Sequence, residues 1–138
     1  EGLKFVTAHS SVPIMADESC WDSKDALRLV SQRAVDLINI KLMKCGGLYE
    51  AKKITAIAEA AGVEVMLGCM AEESGIGVTA AASLGAALKN ITRADLDATF
   101  SLKELPYEGG FTVKDTRHLI LSSDPGLGIK CLKKEMLA

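Results

Sequence analysis

The amino-acid sequence predicts an α/β fold built on a parallel sheet, and three features lead there. Strand-like apolar segments alternate with helix-like ones through four strands and three intervening helices, joined by short loops, which is the pattern of right-handed βαβ crossovers. Residues 37–43 have the nearly continuous apolar composition of a strand covered on both faces. Polar residues gather where the strands end, namely Asp17, Lys41, and the pair Asp95 and Asp97.

Residues 1–11 read as the tail of a helix and a turn, with Leu3 and Phe5 or Val6 as apolar contacts. A short apolar strand follows at 12–16, with Pro13 near its start, where a strand tolerates proline. Asp22 or Ser23 caps a helix over 24–34, in which Ala26, Leu27, Val30 and Ala34 recur at helical spacing. In the strand at 37–43, alternation puts Ile38, Ile40 and Leu42 on one face, beneath helices, and Asn39, Lys41 and Met43 on the other. Gly46-Gly47 turns the chain into a helix over 48–61 that buries Ala51, Ile54, Ile57 and Ala58 and stops at Gly62. A strand at 64–70, a helix of small residues at 76–88 and a strand at 94–97 complete the alternation. From Leu102 the pattern changes to Pro106, Gly109-Gly110, a hairpin joining 111–113 to 118–121, and the turn Asp124-Pro125-Gly126. The chain therefore divides into residues 1–101 and an irregular tail, 102–138, that packs against something other than the sheet.

Of the 138 residues, 49% are hydrophobic and 25% charged, which suits one domain with a real core. A net charge of −2 gives no electrostatic reason to expect nucleic acid or an anionic membrane as partner. Apolar stretches stop short of membrane-span length and the first residues lack a signal-peptide layout, so the expected setting is cytoplasmic or another reducing intracellular compartment. Cys20, Cys45, Cys69 and Cys131 are far apart, without a C-x-x-C pair, and read as small apolar residues rather than a zinc site or disulfide scaffold. His9 and His118 are equally isolated.

Lys41 is the residue out of place, an ammonium in a strand otherwise composed like core. Enclosed, it would have a lowered pKa and act as a base near neutral pH; at a strand end, it would instead snorkel to water. Asp95 and Asp97 are two apart and face the same way, while Leu96 faces the helices. Such a pair calls for a cation, whether metal, lysine or substrate ammonium, and otherwise serves as a cap or a solvated loop. Asp17 is a hard oxygen donor suited to Mg²⁺ but insufficient alone, and Glu18 faces away from it if the strand continues. Active sites of (β/α) barrels are built at this end of the strands. Glu72-Glu73-Ser74, ahead of Gly75-Ile76-Gly77, lacks the spacing of a nucleotide loop.

Pro-Ile-Met-Ala-Asp-Glu-Ser at 13–19, Asn-Ile-Lys-Leu-Met-Lys-Cys-Gly-Gly at 39–47, Gly-Cys-Met followed by Glu-Ser within 68–74, Asp-Leu-Asp at 95–97 and Pro-Gly-Leu-Gly-Ile at 125–129 occur in order. Together they resemble the C-terminal half of the muconate-lactonizing subgroup of the enolase superfamily, most of all its dipeptide (L-Ala-D/L-Glu) epimerases. The resemblance covers nearly the whole chain. It implies the C-terminal half of a (β/α)7β TIM-like barrel, with 1–101 supplying the fifth to eighth strands and 102–138 packing on a capping domain. It further implies Mg²⁺ as cofactor with Asp17 as its third carboxylate ligand, and Lys41 as a catalytic lysine. Asp95 and Asp97 are implied to bind the ammonium of a dipeptide substrate, and Cys69 and Ala71 to line its pocket. The implied reaction is a Mg²⁺-assisted 1,1-proton transfer at the α-carbon of the dipeptide's C-terminal residue, an isomerase activity. Alternatives are an N-acylamino acid racemase, an o-succinylbenzoate synthase, a cycloisomerase, or a non-catalytic assembly partner.

The departures are equally specific. The family's second lysine and first two metal ligands have no counterpart here, and the loop at Glu72-Glu73 is one residue longer than usual. The expectation is thus a fragment that is inactive alone, needs an N-terminal half and forms a homo-oligomer when complete. Its two open strand edges predict poor solubility or self-association in isolation.

Overall fold

The computed structural model describes residues 1–133. Helix α1 (Gly2–His9) precedes β1 (Met15–Ala16), α2 (Ser23–Ser31), β2 (Leu37–Ile40), the single turn α3 (Leu42–Cys45), α4 (Leu48–Ala60), β3 (Glu64–Leu67), α5 (Gly75–Ala87) and β4 (Ile91–Ala94). A 3₁₀ turn at Ala98–Ser101 leads to β5 (Tyr107–Gly109), β6 (Phe111–Lys114), β7 (His118–Leu121) and β8 (Ile129–Leu132). Strands β1 to β4 lie side by side in sequence order and pair parallel throughout, so the α/β reading holds. Parallel neighbours need a long crossover, and α2, α4 and α5 provide the three required.

The core lies between these helices and the sheet. Ile38, Ile40, Val65 and Leu67 from the strands and Ile54 from α4 are essentially solvent-free, and burial of each side chain contributes roughly 2 kcal/mol. Helix α4 earns its place through Ala51, Ile54, Thr55 and Ala58, which sit at the three- and four-residue spacing of one helical face. Helix α2 starts where Asp22 accepts hydrogen bonds from the backbone N–H groups of Lys24 and Asp25, satisfying two donors that no helical carbonyl can reach.

Several boundaries differ from the sequence expectation. Strand β1 has two residues instead of five because Ser10 bonds to both Val12 N–H and Val12 C=O, bending the chain before Pro13. Helix α2 stops at Ser31 because Arg33 takes a left-handed φ of 50°, which leaves Ala34 buried in a loop rather than on the helix. Its core face is Ala26 and Leu29, and Leu27 is 56% exposed. In α1, Leu3 packs on the core, whereas Phe5 and Val6 face solvent and Phe5 stacks on His9. Strand β2 ends at Ile40 rather than residue 43, so Met43 stands exposed on α3. Strand β4 begins at Ile91, which puts Asp95 and Asp97 beyond its end rather than inside it.

In the tail, the expected hairpin forms as β6 and β7, and β5 pairs antiparallel with β8. Phe111 is buried with Val78 of α5 and with Ala98, so this hairpin lies against the helix next to β4. Residues 134–138 of the expected tail lie outside the described residues. Among the described residues, no helix is long and apolar enough to cross a membrane.

Candidate active site

Register brings the polar strand ends to one level. Ile40 is level with Leu67, and Leu67 with Ala94. One step further, Gly68 N–H donates to Ile40 C=O and Asp95 N–H to Leu67 C=O, both at 2.8 Å. Lys41, Gly68 and Asp95 therefore form the next row, on the side of the sheet opposite the helix-packed Ile40 and Leu67. Strands are about 4.8 Å apart, so the backbones of Lys41 and Asp95 stand roughly 10 Å from each other.

The first cluster of the site joins β1 to β2. Lys41 Nζ lies 2.7 Å from Asp17 Oδ2 and 3.2 Å from Glu18 Oε1, and its side chain is only 15% exposed. Glu18 reaches it because β1 ends at Ala16, so the alternation expected to turn Glu18 away does not continue. The other Asp17 oxygen, Oδ1, accepts from Lys44 Nζ at 2.8 Å. Lys44 has a side chain just 2% exposed, and its ammonium also donates to Asp17 C=O at 2.6 Å and Asn39 C=O at 2.9 Å.

These contacts set the charges. Partial burial, the largest influence on Asp17, pushes its carboxyl up, but the hydrogen bonds from Lys41 and Lys44 outweigh it and hold the group below the ordinary aspartate value. The hydrogen bond to Asp17 raises the pKa of Lys41, and burial opposes that only in part. The expectation that enclosure lowers the Lys41 pKa is thus overturned, because the deciding charge comes from the neighbouring strand rather than from its own. In this arrangement Lys41 is an ammonium.

The second cluster joins β3 to β4. Cys69 Sγ lies 3.3 Å from Asp95 C=O and 3.6 Å from Asp97 Oδ1, and Leu96 between the two aspartates turns into the core as its spacing required. Both aspartates are exposed. Ala71 and Asp97 line an open cleft of about 600 Å³ with Glu72, Ala98, Phe100 and Ser101. Asp95 and Asp97 also border a neighbouring cleft of about 510 Å³ under the β6–β7 hairpin.

Lys44 is the residue that the sequence reading missed, having assigned a strand through residue 43. Its signal is Lys-x-x-Lys ending in Gly46, whose left-handed φ of 85° closes a helical turn rather than a strand. That turn carries Lys44 back over the strand ends. Beneath it, Asn39 is buried with Oδ1 unpartnered, and a Cβ added at Gly68 would meet that oxygen at 2.7 Å and Nδ2 at 2.9 Å. Gly68→Ala is therefore expected to cost about 1–3 kcal/mol through overpacking, measured by chemical denaturation; an unchanged midpoint would show that Asn39 yields freely.

The remaining thiols and histidines stay outside this chemistry. Burial pushes the Cys20 thiol up to about 11 and raises that of Cys45, so both behave as apolar filling. His9 pairs with Phe5 C=O and His118 with Asp115, both in exposed positions.

As a donor for a divalent cation, Asp17 at the end of β1 offers two hard carboxylate oxygens, each already matched by an ammonium, Oδ2 by Lys41 and Oδ1 by Lys44. Among the described residues, no group of three His, Cys, Asp or Glu side chains converges to hold a metal. Asp17 thus fits Mg²⁺ as one ligand of a larger set.

Comparisons with known proteins bear on what that larger set belongs to. The chain is 60% identical over 129 residues to the hydrophobic dipeptide epimerase of Enterococcus faecalis, covering 94% of this chain and 36% of that protein. It is 48% identical over 128 residues to the L-Ala-D/L-Glu epimerase of Bacillus subtilis, covering 93% and 34%. The crystal structure of the Enterococcus faecalis dipeptide epimerase complexed with Mg and L-Leu-L-Tyr superposes with a TM-score of 0.90 at 59% identity, over 94% of this chain and 37% of that one. The chain spans about a third of the length of the curated relatives it matches. Residues 1–135 match the enolase C-terminal domain-like family, and the chain belongs to it.

Proposed function

We propose that this chain forms the C-terminal part of a Mg²⁺-dependent dipeptide epimerase, catalysing 1,1-proton transfer at the α-carbon of the substrate's C-terminal residue. The observation that carries this reading is the common row of Lys41 and Asp95, an ammonium and a carboxylate roughly 10 Å apart along the same edge of the sheet. Successive α-carbons of a trans dipeptide are about 3.8 Å apart, so side chains reaching inward from the two positions span its α-carbon and its terminal ammonium. Four parallel strands then make up half of a TIM-like barrel. The opposing lysine and the other two metal carboxylates come from outside residues 1–138, and residues 102–133 pack on a capping domain. The whole enzyme is a homo-oligomer in a reducing, cytoplasmic setting, which suits the free cysteines.

Each residue then has a task. Asp17 contributes one carboxylate to Mg²⁺, and the bound ion supplies the positive charge that stabilises a deprotonated α-carbon next to a carboxylate. Lys41 serves one face of the α-carbon. Paired with Asp17 it is protonated and can only give a proton; released from Asp17 Oδ2 it loses the main influence that raises its pKa and can take one. Asp95 and Asp97 bind the substrate ammonium, while Cys69 and Ala71 shape the wall beside them.

The test is turnover by the full-length protein. Incubation of L-Ala-L-Glu and of hydrophobic dipeptides with Mg²⁺ in deuterated water is expected to give epimerisation with deuterium at the C-terminal residue, and a lack of exchange across a dipeptide panel would remove the reading. Asp95→Asn or Asp97→Asn is expected to raise KM for free dipeptides roughly 10-fold or more while changing it little for N-acylated analogues, because only the former present a cation. Equal losses with both substrate types would count against the ammonium role and favour an N-acylamino acid racemase.

A further inference from the structure

We propose that Lys44 is a positioning residue for Asp17, fixing it as a one-oxygen ligand for the divalent cation. The inference rests on the reading of Asp17 as a metal ligand and concerns a residue to which that reading gives no role.

Three observations support it. All three hydrogens of the Lys44 ammonium have acceptors, namely Asp17 Oδ1 at 2.8 Å, Asp17 C=O at 2.6 Å and Asn39 C=O at 2.9 Å. Two of the three belong to the same residue, so Lys44 fixes both the backbone and the carboxylate of Asp17. Second, the side chain is 2% exposed, against 15% for Lys41, so one of the two cations on Asp17 is built into the fold while the other lies nearer the open side. Third, β1 is only two residues long and Asp17 lies past its end, where no ladder bond orders the backbone. Asp17 C=O instead accepts from the Lys44 ammonium at 2.6 Å and from Cys20 N–H of the following turn at 3.0 Å.

The division of the carboxylate follows directly. Oδ1 is committed to a buried ammonium that cannot leave without stranding its charge, and Oδ2 is held by Lys41, which has another partner in Glu18. A divalent cation therefore competes for Oδ2 alone. Asp17 binds it through one oxygen, which leaves an additional coordination position for water or substrate and matches the preference of Mg²⁺ for one-oxygen carboxylates. Lys44 also offsets the charge of Asp17 once Lys41 has moved away, so the cation meets a ligand of fixed direction rather than one free to rotate.

The experiment uses the full-length protein with Mn²⁺ as a spectroscopic probe for Mg²⁺. Lys44→Met is expected to weaken Mn²⁺ binding by roughly 10- to 100-fold, as loss of a ligand-orienting partner does. In the same variant, water-proton relaxation is expected to report one fewer exchanging water on the bound ion, because Asp17 can then use both oxygens. A purely structural lysine would lower the unfolding midpoint but leave Mn²⁺ affinity and water count per folded molecule unchanged, and that result would overturn the proposal. Should Lys44→Met not fold, the unaltered protein decides by nitrogen-15 NMR of the lysine ammonium groups. Lys44 is expected to keep slow hydrogen exchange and a hydrogen-bond coupling to the Asp17 carboxylate after Mg²⁺ is added, whereas loss of that coupling on Mg²⁺ addition would overturn the proposal. If the unaltered protein bound no Mn²⁺ and exchanged no dipeptide proton, the epimerase reading would fail and the metal-positioning role with it; normal binding and exchange with an unaffected Lys44→Met variant would sink the positioning role alone.

Discussion

Lys41→Met in the full-length protein is expected to abolish epimerisation in both directions, a loss of roughly 10²- to 10⁴-fold or more, because inversion needs a proton removed on one face and returned on the other. Exchange need not stop with it. A lysine on the opposite face can still take and return a proton on its own side, so one epimer should retain slow α-proton exchange with deuterated water while the other loses it. The variant should fold, since Lys44 continues to balance Asp17 when Lys41 is gone. NMR of each epimer separately, with circular dichroism as the folding control, reads the outcome. Symmetric loss of exchange in a well-folded variant, or retained epimerisation, would show that Lys41 does not serve one face of the substrate.

The alternation of strands and helices was legible because it depends on local periodicity, and the parallel order β1-β2-β3-β4 follows from the crossovers that this alternation demands. Element ends were less legible. They are set by single bonds and single backbone angles, such as the left-handed Arg33 that stops α2 and the left-handed Gly46 that closes α3, which composition does not reveal. The packing of Leu96 against the core could be read from its spacing, but the approach of Cys69 to Asp97 comes from pairing between β3 and β4 and spans 28 residues of sequence. Lys41 stood out by composition, whereas the sign of its pKa shift did not, since Asp17 and Glu18 arrive from another strand and outweigh desolvation. Lys44 was hidden for a related reason. A buried lysine near a Gly-Gly turn looks like a surface charge until the turn is known to fold back over the strand ends.

Asp17→Asn carries the largest expected effect on stability, about 3–5 kcal/mol, because it leaves the ammonium of Lys44 buried beside a neutral amide. The pH dependence distinguishes this cause from a packing defect. The Asp17 carboxyl is held below its ordinary value in the folded protein, so in acid the unfolded chain takes up its proton first. The stability contributed by Asp17 is therefore fully present above about pH 4, the unfolded value, and is lost as pH falls through the lower folded value. Lys41 works in the other direction: its pKa is raised, so its contribution is present below about pH 10.4 and disappears as pH rises through the folded value. In Asp17→Asn both slopes should flatten, and the deficit relative to the unaltered protein should be large at pH 7 and shrink toward pH 3. Combining Asp17→Asn with Lys44→Met should recover part of the loss, since it removes the stranded charge, and the two changes should be strongly non-additive. Urea unfolding of the single and double variants between pH 3 and pH 7, and of Asp17→Asn and the unaltered protein up to about pH 11 for the Lys41 slope, measures all of this. A deficit independent of pH, or a double variant less stable than the sum of the singles, would place the role of Asp17 in packing rather than in balancing the buried lysine.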